Sequence, residues 1–119
     1  MAQLKSSQAV RADNLLTDIL TTTQTHWSTI SANTTASNFR HQGFFVDTTA
    51  APVTLTLPAS PQNGDSVSFV DDKGTFATNI LTINGNGNLI MGLNTPMTAS
   101  TNFARNTLVY FNSDWRLTQ

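Results

Sequence analysis

The chain contains no cysteine and no glutamate among its 119 residues. The first absence excludes disulfides, thiolate catalysis and sulfur-ligated metal sites. The second removes the usual carboxylate pair of a glycosidase, leaving only aspartates for such a role. Charge is scarce as well: 11% of residues are charged, against about 25% in an ordinary soluble domain. The six cations, at 5, 11, 40, 73, 105 and 116, are never adjacent and the net charge is −1. A phosphate backbone is bound by clustered cations that release counterions together, so no nucleic-acid partner is expected. No stretch approaches the roughly 20 apolar residues of a membrane span, and the first 16 residues, MAQLKSSQAVRADNLL, lack the apolar core of a secretory signal. Membrane insertion is therefore not expected, and the mature chain is expected to begin at or near Met1.

Uncharged polar residues fill the gap. Thr and Asn recur in TTTQT at 21–25, NTT at 33–35 and NGNGN at 84–88. Thr suits a pleated surface and Asn and Gly suit turns, which points to short strands and tight connections.

One segment reads as a helix. Over residues 7–20, Ala9, Ala12, Leu15, Leu16, Ile19 and Leu20 recur at helical spacing, Ser6 or Ser7 can cap the start, and the Thr run at 21–23 should end it. Val10 adds to its apolar content. The stripe either covers its own domain or docks on a neighbour, and both readings stay open; Val10, Leu15, Leu16, Ile19, Leu20 and Trp27 are the candidate docking residues. Residues 21–41 read as a connector anchored by Trp27, Ile30 and Phe39. Residues 1–42 thus form an expected helix and attachment arm.

From Gln42 the pattern changes to period two. Val53, Leu55 and Leu57 alternate with threonines, and Ser66–Phe69 repeats the alternation. Turn signals fall at PASPQNGD (58–65), DDKG (71–74) and NGNGN (84–88). Strands are expected near 43–48, 53–57, 65–71, 79–84, 88–91, 107–112 and 114–118. Strand 107–111 is apolar on both faces, as if buried on both sides. So many short strands predict an all-β domain at 43–119, a small antiparallel β-sandwich or barrel-like fold.

Candidate chemistry is thin. His26 and His41 have no Asp or Cys nearby at ligand spacing. Asp47, Asp65, Asp71 and Asp72 lie at strand ends, where a calcium cluster is the alternative to turn-forming aspartates; no EF-hand pattern is present, and the turn reading is preferred. No Gly-x-Ser-x-Gly turn occurs, and NGNGN lacks the Lys-Ser/Thr of a phosphate loop. No cofactor, metal or catalytic activity is expected. Tyr110 and Trp115, with Trp27, are the aromatics able to stack on a sugar ring or fill an interface.

The stretch FFVDTTAAPVTLTLPASPQNGDSVSFVDDKGTFATNILTINGNGNLIMG, followed by LVYFNSDWRLT, resembles a β-domain of virion structural proteins of tailed bacteriophages, the tail-fibre and baseplate-associated group. The order of features carries the likeness: a Val-Asp-Thr opening, a Thr-Leu-Thr-Leu-Pro strand, a Val-Asp-Asp strand end, Asn-Ile-Leu-Thr-Ile-Asn-Gly, and a final Val-Tyr to Trp-Arg hairpin. The resemblance implies a homotrimeric structural module located in the virion, whose partners are copies of itself and other virion proteins, with no catalytic residues to carry over. A head or neck decoration protein is one alternative, and a module binding a host-surface glycan is another.

Overall fold

The computed structural model describes residues 24–118, and every regular element in them is a β-strand. The expected helix at 7–20, with Val10, Leu15, Leu16, Ile19 and Leu20, lies outside the described residues. The strands are β1 (His26–Ile30), β2 (Thr34–Thr35), β3 (His41–Val46), β4 (Val53–Thr56), β5 (Ser66–Asp71), β6 (Leu81–Asn84), β7 (Leu89–Ile90), β8 (Met97–Ala99), β9 (Arg105–Phe111) and β10 (Asp114–Leu117).

The architecture corrects the expected antiparallel sandwich or barrel: the chain winds as a β-solenoid of about three turns. Each turn crosses from one sheet to the other, so β1, β3 and β5 stack in parallel in the first sheet and β2, β4 and β6 stack in parallel in the second. The turn signals are therefore corners between sheets. PASPQNGD carries the chain from β4 back to β5, and DDKG opens the corner from β5 to β6. The solenoid also reaches further upstream than the expected boundary at 43. Residues read as a connector supply β1 and β2, the first turn.

Antiparallel pairing is confined to the end. β8 lies antiparallel on β6, β9 lies antiparallel on β5, and β10 returns on β9 through a tight turn in which Asn112 and Ser113 have positive φ (51° and 64°). That left-handed pair matches the twist of a two-residue hairpin. β7 completes the first sheet beside β10.

The core fills the space between the sheets. Phe44, Val46, Val67, Phe69 and Leu108 point inward from the first sheet, and Val53, Leu55, Leu81 and Ile83 from the second. Phe76 from the β5–β6 corner and Trp115 from β10 join them. Strand β9 is not covered on both faces within this chain: Leu108 is buried, but Val109 is half-buried and Phe111 is exposed.

Where the backbone ladders end at the corners, asparagine side chains add further bonds between turns. Asn33 Oδ1 accepts from the Thr54 amide at 2.8 Å, Asn38 Oδ1 from Ser60 at 3.1 Å, and Asn102 Oδ1 from Ala77 at 2.8 Å. Asn79 donates to the Thr48 carbonyl at 2.8 Å and Asn86 to the Leu57 carbonyl at 3.0 Å. Each bond joins one turn or corner to the next. A neutral side-chain amide suits these corners because it can either donate to a carbonyl or accept from an N–H.

Candidate functional site

The outer face of the first sheet carries the most distinctive surface. Strand register places residues in rows across it. One row runs Trp27, Gly43, Ser68, Thr107, and the next runs Thr29, Phe45, Val70, Arg105. Gly43 leaves a gap that Trp27 occupies. A Cβ on Gly43 would lie 2.5 Å from the indole, so only glycine allows the ring to lie down over β3. There the indole meets Phe45, with ring centroids 4.8 Å apart and planes tilted by 37°. Even so, Trp27 keeps 46% and Phe45 38% of its surface exposed.

These rings form one wall of a groove of about 410 Å³, with Ser68 and Val70 on its floor and Arg105, Asn106 and Thr107 opposite. Ser68 Oγ and Thr107 Oγ1 share a hydrogen bond of 2.8 Å. Arg105 is exposed and forms no ion pair with any described residue.

The other expected site residues fall elsewhere. Trp115, expected as a surface-recognition or interface residue, is wholly buried: it is a core residue packed on Tyr110, ring centroids 5.3 Å apart. Its indole Nε1 has no hydrogen-bond partner among the described residues. Tyr110 is half-buried and its hydroxyl donates weakly to Asn88 Oδ1 at 3.4 Å. Of the three aromatics singled out, only Trp27 stands at an open surface.

The aspartates organise backbone. Asp71 is buried, and its Oδ1 accepts from the Gly74 (3.0 Å) and Thr75 (3.1 Å) amides, while Oδ2 accepts from Phe76 (3.1 Å) and Phe103 (2.9 Å). Burial pushes its carboxyl pKa up, but the amides of Phe103, Phe76, Thr75 and Gly74 together outweigh that and hold it below the ordinary value. Asp65, also buried, pairs with Arg40 at 3.3 Å and accepts from the Gln62 amide at 2.9 Å. Asp47 accepts from the Thr49 amide at 2.9 Å, and Asp72 is 3.9 Å from Lys73. His26 packs edge-on against Phe39, and His41 bonds Ser66 Oγ at 2.9 Å. Among the described residues no three His, Cys, Asp or Glu side chains gather as a metal site.

Sequence reasoning found Trp27 but not the groove, because Gly43, Ser68, Thr107 and Arg105 belong to three strands brought together only by the winding. The one legible signal was an aromatic in a polar segment with no apolar neighbours.

No protein-family model matches the chain, and no curated protein matches it in sequence. Among solved structures the chain is similar in fold to one described as "Structure of a chaperone-substrate complex", with a TM-score of 0.58 and 20% identity. The match covers 79% of this chain and 15% of that one. The chain therefore spans a small part of the length of that neighbour, and the likeness concerns fold alone.

Proposed function

We propose that the chain is a non-enzymatic structural component of a tailed-phage virion, a tail-fibre or baseplate-proximal module that assembles as a homotrimer and docks through its N-terminal arm, the residues that precede β1. The observation that carries this reading is the difference between the two ends of the solenoid. At the C-terminal end the parallel ladders stop against β8, β9 and β10, and the edges left over are only the short β7 and β8. Short, turned-back edges discourage further pairing. At the other end β1 and β2 each keep an edge that no described strand pairs. A solenoid closed at one end and open at the other suits a terminal module joined end-on to a larger assembly. The residue-level resemblance to phage virion β-domains supports the same reading.

Self-association has its own support. Leu89, Asp114 and Phe111 share a row on the first sheet, with Met91 and Leu93 beyond, and these four hydrophobic residues are all exposed. A cluster of that kind marks a protein contact surface.

Light scattering on the full chain tests assembly, with three copies expected. Mass spectrometry of purified particles tests location, with the chain expected in the particle fraction. A monomer at all concentrations, found only outside the particles, would overturn the reading.

A further inference from the structure

We infer that the groove between Trp27 and Arg105 is a binding site for an acidic saccharide, a sugar ring bearing a carboxylate. The dimensions come from the sheet. Trp27 leans over β3, and Arg105 and Thr107 stand on β9, two strands away across β5. Neighbouring strands lie about 4.8 Å apart, so the backbones that carry the two walls stand roughly 9–10 Å from each other. That gap takes one pyranose ring and its substituents.

The chemistry of the walls fits the two characters of such a ring. The C–H face of a sugar is apolar and packs on aromatic surface, which Trp27 and Phe45 present together. Its hydroxyls need partners of both kinds: one of the Ser68 and Thr107 hydroxyls donates to the other, which leaves one O–H free to donate and lone pairs on both oxygens to accept. A neutral sugar would leave Arg105 unused. A carboxylate facing Arg105 gains a charge-assisted and, in good geometry, bidentate contact. The guanidinium has no ion pair within the described residues that would have to be broken first.

A second copy of the chain is the rival occupant, and the fold offers it a separate surface. The exposed hydrophobic residues around Phe111 lie at the opposite end of β9 from Arg105, six residues or about 20 Å away. Trimer contacts there leave the groove open, so the inference does not depend on the proposed virion role.

The native fluorescence of the protein reads this site directly, because Trp115 is wholly buried and Trp27 is the exposed tryptophan. Oligosaccharides of galacturonate, glucuronate and N-acetylneuraminate are titrated separately into the full chain at low ionic strength, with maltotetraose as the neutral control. At least one acidic probe should produce a saturable change in emission, with maltotetraose at least tenfold weaker. Arg105→Gln should remove that tenfold preference while leaving the emission of the free protein unchanged. Trp27→Phe should abolish the signal, and calorimetry on that variant should show weakened binding. No saturable response to any acidic probe overturns the inference, as does an equal response in Arg105→Gln. So does loss of self-association in Trp27→Phe, which would make the groove a contact between copies.

Discussion

Val46 and Asp71 are register partners across β3 and β5, so an apolar side chain and a carboxylate occupy the same inward position on successive turns of the solenoid. Both are buried. The pairing survives because Asp71 stands at the end of its strand, where the chain bends away and turns four amides toward it. One of these belongs to Phe103, in the loop leading to β9. A single side chain thus ties the third turn to the segment that closes the ladder.

Asp71→Asn should destabilise the fold by about 2–4 kcal/mol, since the amide NH2 would face two backbone N–H donors, at least one of them part-buried, that then lack an acceptor. Chemical denaturation should show a lower midpoint. Asp72→Asn, whose Lys73 contact is exposed and 3.9 Å long, should change it by less than about 0.5 kcal/mol.

The same carboxylate sets a pH dependence. Its folded pKa lies below the ordinary value, so as pH falls the unfolded chain takes up the proton first. The stabilisation is complete above the unfolded pKa and is lost on acidification through the folded one. Stability should therefore decline below about pH 4. Asp71→Asn should flatten that decline in thermal melts recorded across the acid range.

Gly43→Ala should lift the Trp27 indole off β3, because its new Cβ would overlap the ring. The expected readout is a red shift in the Trp27 emission with the β circular dichroism signal retained. An unshifted spectrum would mean that the ring is held chiefly by Phe45.

Asn102→Ala and Asn38→Ala each remove one side-chain acceptor from a backbone amide at a corner. Each amide is exposed and can turn to water, so each substitution should lower stability by about 0.5–1.5 kcal/mol in denaturant melts. The two corners are separate, and the double variant should show nearly additive loss.

Trp115→Ala should cost about 3–5 kcal/mol by opening a cavity in the core. Trp115→Phe should be clearly milder, because the phenyl ring refills much of that cavity and the indole N–H it gives up has no partner among the described residues. Equal losses in the two variants would mean that the core does not accept the smaller ring.

Strand positions were legible because alternation is local. The expected segments at 53–57, 65–71 and 114–118 fall within a residue of β4, β5 and β10. Partners were not, because pairing is not local and the turns differ in length. Gln42 lies 16 residues after its partner His26, and Val67 lies 25 residues after Gln42, so no fixed repeat appears. Even the visible echo between FFVD (44–47) and SFVD (68–71) misleads. Aligned by letters it matches Asp47 with Asp71, whereas the register matches Val46 with Asp71, and a slip of one residue exchanges the two faces. β1 was missed because its residues are mostly exposed and show no alternation between buried and open positions. The groove was illegible for the same reason as the pairing.

The antiparallel closure by β8 and β9 also bears on synthesis. A ribosome delivers the rungs in order, and β5 and β6 emerge with their outer edges bare until residues 97–111 follow. During that interval the nascent chain carries two adhesive edges, which is when a folding helper would have most to shield. A product truncated before residue 97 would keep those edges permanently and should collect in aggregates.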